Sequence, residues 1–234
     1  KFKVNYFETC YSYLILQTKV NYSLVQYWEG ENCVGVDKLS RKWKRMYPEF
    51  TYERYNLESA RSFIAKKCSI EALNAFDKCG IPAMRSDLFR ILYILEKGGI
   101  YVDCALEPIG RLEIDFGKRS NRITLSRMET GRVSNSFIVA EKGSEVINDI
   151  QKLIINNITN ESDRFNRRSN DILWVTGPVN YQHLRNPRVR EKYDIELIDE
   201  DRIFSRINNL PHKKHGRHWT EIQQNNTIYA LPTS

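Results

Sequence analysis

The sequence predicts an α/β fold, and three observations carry that reading. Strand-like and helix-like stretches alternate along the chain. Leu88, Ile91, Leu92 and Leu95 recur at spacings of three and four inside Pro82 to Lys97, the pattern of an amphipathic helix. Directly after it, Gly98-Gly99 stops the helix, and a short apolar strand, Ile100 to Asp103, ends on a carboxylate.

The other elements follow in order. Leu24 to Trp28 reads as a short buried strand ending in an aromatic and broken by Glu29-Gly30. Val36 to Met46 reads as a helix stopped ahead of Pro48, because the residue before a proline avoids the helical region. Phe50 to Tyr55 alternates as a strand does. Leu57 to Lys67 and Ser69 to Cys79 read as two helices, the second closed by Gly80. Ile123 to Leu125 and Ser136 to Val139 read as further strands, and Val146, Ile147, Ile150, Leu153 and Ile154 mark another amphipathic helix. Asp171 to Val175 leads into the loop signal Thr176-Gly177-Pro178. Tyr193 to Ile198 is a late strand, and the stretch from Ile207 is rich in His, Lys and Asn. The expected division is an N-terminal extension over 1–23, one domain over 24–220 and a C-terminal tail over 221–234.

A chain of 234 residues is long enough for one domain with a sizeable core. No uncharged apolar run approaches the roughly 20 residues that span a bilayer. Glu8 interrupts the apolar stretch within Lys1 to Gln17, so neither a membrane span nor a leader is expected. The five cysteines, Cys10, Cys33, Cys68, Cys79 and Cys104, form no C-x-x-C pair. A zinc site or a disulfide framework is therefore not expected, and a reducing cytoplasm is the expected setting. The net charge of +7 is spread along the chain, with small clusters at Arg41 to Arg45, Arg164 to Arg168 and Lys213 to Arg217. Such clusters are mostly solvated faces, with weak attraction to an anionic membrane as the functional alternative. No zinc-finger, RRM or helix-turn-helix pattern accompanies the charge, which argues against a nucleic-acid partner.

The chemistry is concentrated in Ser86-Asp-Leu-Phe-Arg-Ile-Leu-Tyr-Ile-Leu-Glu-Lys-Gly-Gly-Ile-Tyr-Val-Asp103. Asp87 and Arg90 are three apart and share a helix face with Ile94, so that face is not a plain solvated edge. Asp103 stands at the carboxyl end of a strand, where open α/β sheets bind their ligands. An acid there, beside a helix offering a second acid and an arginine, suits a polar, phosphorylated ligand. Taken alone, Asp87 and Arg90 are equally an exposed i,i+3 pair, and Asp103 an ordinary strand-end residue.

The whole run resembles the sugar-transferase motif of bacterial and fungal family 32 glycosyltransferases, shared with the clostridial glucosylating toxins. Their pattern reads S-D-x-x-R, an apolar helix, G-G, and a strand ending in D-x-D. Other stretches resemble the family in the same order: Val25-Gln-Tyr-Trp28-Glu-Gly, Trp43-Lys-Arg-Met-Tyr-Pro-Glu-Phe-Thr-Tyr, Asn135-Ser-Phe-Ile-Val-Ala, Thr176-Gly177-Pro178 and His215-Gly-Arg-His218-Trp219. The resemblance implies a GT-A fold, a Rossmann-like mixed central sheet flanked by helices, binding a nucleotide-sugar at its carboxyl edge. It implies that Trp28 stacks on the nucleotide base and that Asp87 and Arg90 hold hydroxyls of the donor sugar. Tyr101 lies near the nucleotide in that scheme, and Asp103 contacts ribose or a divalent metal. Trp219, with His215 or His218, closes over the diphosphate.

One departure bears on the metal: the second acid of the D-x-D pattern falls on Ala105. Mn²⁺ and Mg²⁺, the implied cofactors, prefer hard oxygen ligands, and alanine offers none. Glu107 could substitute, or Asp103 could hold the ion with the diphosphate and water, and His218 is a further candidate ligand. A related group of capsular-polysaccharide synthesis proteins carries Asp-Ala-Thr here. Alternatively, Ala105 is an inactivating substitution, leaving a relative that binds nucleotide or glycan without turnover. The favoured expectation is an active, retaining hexosyltransferase, with UDP preferred over GDP. It would act on a glycan or lipid-linked glycan acceptor in capsule or O-antigen synthesis, in the cytoplasm and at the inner face of the membrane.

Overall fold

A computed structural model describes residues 22–30, 33–114, 116, 120–160, 171–208, 210, 219–225 and 228–230. Strands β1 (Ser23–Tyr27), β2 (Thr51–Tyr55), β3 (Gly99–Val102), β5 (Arg122–Arg127), β6 (Val133–Ala140) and β7 (Asp194–Asp199) form a six-stranded sheet in the order β2-β1-β3-β6-β5-β7. Neighbours β2, β1 and β3 run parallel, as do β5 and β7, while β6 is antiparallel to both strands that flank it. A small second sheet pairs β4 (Leu106–Pro108) with β8 (Phe204–Arg206).

Helices cover both faces. α1 (Val34–Met46) packs on β4, and the core on that side joins Leu24, Ile100, Val102, Phe137 and Val139 to Trp43 and Tyr47. The larger core lies on the other side, beneath α2 (Leu57–Lys67), α3 (Ile70–Lys78), α4 (Pro82–Lys97) and α5 (Glu145–Thr159). Local signals set the ends of these helices. Asn56 caps α2 by accepting from the Ser59 amide at 2.9 Å, while Ser59 Oγ accepts from the Asn56 amide at 2.9 Å. Pro82 opens α4 at a position that needs no amide donor, and Gly98 closes it with φ +69°. Gly99 is required for a second reason. Its φ is +109°, and a Cβ there would lie 2.3 Å from the Ser23 carbonyl oxygen of the neighbouring strand.

The elements expected from periodicity are present, Leu57–Lys67 and Pro82–Lys97 with both ends as expected and the others with an end shifted by one to a few residues. β6 begins at Val133, three residues ahead of the expected Ser136, because Ser134, Asn135 and Ser136 are polar and yet buried. Asp171 to Val175 contains a one-turn helix, α6 (Ile172–Val175). β4, β8, the 3-10 helix Pro178–Arg185 and α7 (Pro187–Lys192) are too short or too polar to show a period. α8 (Trp219–Asn225) is anchored by Ile222 in the main core and by Gln223, whose Oε1 accepts from the Ile172 amide at 3.2 Å. Farther on, Ile228 is fully buried, its carbonyl accepts from the Gly80 amide at 2.8 Å, and Tyr229 bridges Cys79. Cys33, Cys68, Cys79 and Cys104 are free thiols, and Cys10 lies outside the described residues. No helix among the described residues is long and apolar enough to cross a membrane.

Candidate active site

The sheet brings its polar residues to one edge. Trp28 directly follows β1 there, Asp103 follows β3, and Glu200 follows β7. Because β6 runs the other way, its first residues, Ser134, Asn135 and Ser136, meet those carboxyl ends. Asp103 is tied to this strand by its amide, which donates to the Ser136 carbonyl at 2.9 Å.

β6 reaches both sides of the sheet through an irregularity. Leu125 pairs with Ile138, but the next residue, Ser126, pairs with Ser134, leaving Asn135, Ser136 and Phe137 unopposed by β5. Bulges of this kind re-aim side chains. Asn135 Nδ2 donates to Asp87 at 2.9 Å on the α4 side, whereas Ser134 and Ser136 turn their hydroxyls to Arg206 on the other.

Asp87 and Arg90 occupy the buried face of α4, with relative exposures of 7% and 4%. Asp87 accepts from Asn135, from Thr176 Oγ1 at 3.0 Å, and from Arg90 Nη2 at 3.0 Å. Arg90 also donates to the Ser86 carbonyl at 3.2 Å and to the Asn135 carbonyl, and its Nη2 stands 3.2 Å from Asp103 Oδ1. Its guanidinium lies 4.5 Å from the centre of the Tyr101 ring. Tyr101 is fully buried, and its hydroxyl donates to Asp103 Oδ1 at 2.9 Å while meeting Ser86 Oγ at 2.8 Å. Burial raises the pKa of Asp87 above its ordinary value, and Arg90 only partly opposes that. Burial pulls Arg90 down, but the charge of Asp103, with Tyr101 and Asp87, more than offsets it, and Arg90 stays a cation. Burial pushes the Tyr101 hydroxyl well up, so it remains a neutral donor to Asp103. Asp103 is the open member, its side chain 31% exposed.

Trp28 stands beside this cluster on an apolar floor of Val36, Leu39, Cys104 and Leu210, which Ala105 and Ile207 also join. The loop carrying it is fixed by Glu29, which pairs with Arg85 and accepts from the Tyr27 hydroxyl. Arg85 in turn donates to the Cys79 carbonyl at 2.6 Å. Beneath, Gln26 Oε1 accepts from Ser40 at 2.8 Å and from Tyr52 at 2.7 Å, and Gln26 Nε2 reaches the Asp103 carbonyl at 3.5 Å.

The structure thus brings together Trp28, Asp87, Arg90, Tyr101 and Asp103. His215 and His218 lie outside the described residues, as does the side chain of Trp219, whose backbone starts α8. The described residues do not fit a divalent ion. Asp103 is a single carboxylate with one oxygen already engaged, Ala105 sits in the apolar floor, and Glu107 is paired with Lys42. No group of three or more ligating side chains occurs among them. Sequence reasoning assigns no role to Ser86, Asn135, Thr176 or Arg206. For Asn135 and Thr176 the available signal was the family resemblance of Asn135-Ser-Phe-Ile-Val-Ala and Thr176-Gly177-Pro178, which carried no role for either. Contacts across 72 and 89 residues, for Arg206 with Ser134 and Thr176 with Asp87, leave no local trace.

Residues 34–124 match the family described as the glycosyltransferase sugar-binding region containing the DXD motif. None of the curated proteins matches the chain. Among solved structures, it is similar to the PaToxG glycosyltransferase, at 18% identity and a TM-score of 0.53, over 74% of this chain and 71% of that one. It is also similar to the ligand-free glycosyltransferase domain of the YGT toxin, at 9% identity and a TM-score of 0.55, over 79% and 80% of the two chains. The fold is that of GT-A glycosyltransferase domains.

Proposed function

We propose, from the premise that residues 34–124 carry a glycosyltransferase sugar-binding region on a GT-A fold, that the protein transfers a hexose or N-acetylhexosamine from a nucleotide-sugar to a glycan hydroxyl. The observation that carries the reading is the partly open Asp103 held by the buried cluster of Asp87, Arg90, Tyr101 and Asn135 at the sheet's carboxyl edge. Trp28 would stack on the base, a large flat contact with little entropy to lose, and UDP is preferred over GDP. Asp103 would meet the donor directly. Asp87 and Arg90 would reach donor hydroxyls only at their exposed fringe, and they set the position of Asp103. In transfer, the bond from the anomeric carbon to the diphosphate breaks with its electron pair leaving on phosphate. The acceptor oxygen bonds to that carbon and loses its proton. Retention, a lipid-linked or free glycan acceptor, capsule or O-antigen synthesis, and a cytoplasmic site at the inner membrane face belong to the same reading. The net charge of +7 supports the last of these.

Incubation with a panel of nucleotide-sugars tests the proposal, since transferases slowly hydrolyse their own donor in the absence of acceptor. One donor is expected to be hydrolysed, and Asp103→Ala is expected to abolish that turnover with the fold intact by circular dichroism. Near-normal turnover in the variant would refute the assignment of Asp103. Ala105 favours a second reading, a relative that binds donor without turnover. Tight nucleotide binding with no hydrolysis or transfer for any donor would establish that one.

A further inference from the structure

We infer that Arg206 is the cation that receives the donor's diphosphate, in the place where related sugar-transferase motifs put a second acid and its metal. The inference rests on the transferase reading above. Position 105, where that acid is missing, is closed by β8 itself: the Ile207 amide donates to the Ala105 carbonyl at 2.9 Å, and Leu106 pairs with Arg206. Ile207 turns to the apolar floor under Trp28, and Arg206 turns to the sheet edge.

The guanidinium is built into that edge. Its Nη2 donates to Ser134 Oγ and Ser136 Oγ, each at 3.1 Å, and Ser136 is the residue whose carbonyl holds the Asp103 amide. Nε donates to Glu200 Oε2 at 2.9 Å, and Nη2 to Glu200 Oε1, a two-point grip that fixes the plane of the group. Ser126 Oγ approaches the same carboxylate at 3.4 Å. Glu200 is 13% exposed and Arg206 35%, so the pair is a dipole with its positive end outward. Nη1 has no partner among the described residues, and the side chain is 35% exposed, so two N–H donors stay available on the strand that pairs beside Ala105. A fixed guanidinium needs no deprotonated ligand set, and it can stabilise the charge that the leaving diphosphate gains.

Calorimetric titration in EDTA with the nucleoside diphosphate and with its parent nucleoside, for both uridine and guanosine, tests this. The wild-type chain is expected to bind one diphosphate about tenfold or more tighter than its nucleoside without metal. Arg206→Met is expected to lose most of that ratio with nucleoside affinity unchanged, and Arg206→Lys to keep part of it. A ratio preserved in Arg206→Met overturns the inference. So does a wild-type affinity that Mn²⁺ raises about tenfold or more, a measurement that needs no variant to fold. Failure of the transferase reading looks different: neither diphosphate binds, with or without Mn²⁺, and both proposals fall together.

Discussion

Asp87 and Arg90 show what burial does to a pair that sequence alone leaves ambiguous. Exposed, an i,i+3 pair contributes a few tenths of a kcal/mol and specifies nothing. Here each partner has several further hydrogen bonds, so the pair fixes a single geometry at the foot of Asp103. Ile94, on the same face, was the legible sign that this face turns inward. What could not be read was the set of partners, because Asn135 and Thr176 come from β6 and from the loop after α6. Trp28 was legible through its place at the end of a buried strand. Trp28→Ala is expected to weaken nucleotide binding by about 1–3 kcal/mol, by analogy with bases stacked on aromatic side chains. Calorimetry with UDP and GDP measures this, and unchanged affinity would remove Trp28 from the site.

At the level of elements, the helices were legible because their apolar stripes repeat over several turns, and α4 was legible from Pro82 to Lys97. Strands were less so, since a run of four or five residues carries little periodicity, and the paired β4 and β8 have three residues each. Edge strand β2 carries a titratable anchor. Glu53 accepts from Ser23 at 2.6 Å, Tyr55 at 2.7 Å and Tyr93 at 2.8 Å, linking β2 to β1 and α4. Burial alone would raise its pKa, but the three hydroxyl donors, with the charge of Lys97, outweigh burial, and the net shift is downward from 4.5. The folded state therefore binds the proton less readily than the unfolded chain. Its stabilisation is complete above pH 4.5 and is lost as pH falls through the lower folded value. Glu53→Gln is expected to cost about 1–2 kcal/mol at neutral pH. The gap to wild type should narrow in acid. Urea denaturation across pH 3–7 checks both, and a gap that widens in acid would contradict the sign.

Over the whole molecule, the two cores meet through one sheet, and the chain beyond residue 220 contributes to the larger of them. Ile228 is fully buried in the larger core, its carbonyl bound by the Gly80 amide between α3 and α4, and a Cβ on Gly80 would lie 2.5 Å from the Tyr229 backbone. Ile228→Ala is expected to destabilise the protein by about 2–5 kcal/mol. Thermal unfolding reads this directly, and a cost under about 1 kcal/mol would mean that the segment docks without holding the fold. Nothing in the polar composition of the last residues announced this packing. One isoleucine among Asn, Thr and Tyr carries no period, and its partner surface lies nearly 150 residues earlier.

The unopposed residues of β6 also make the strand a partition whose two compartments are furnished by neighbouring positions, Asn135 for one and Ser136 for the other. Such a wall is sensitive to chain length more than to residue type. Losing Asn135 from the chain would move Ser136 to the place opposite Asp87 and bring Phe137 to face Arg206, so a one-residue deletion would strip both compartments at once. Replacing Asn135 in place would disturb only one.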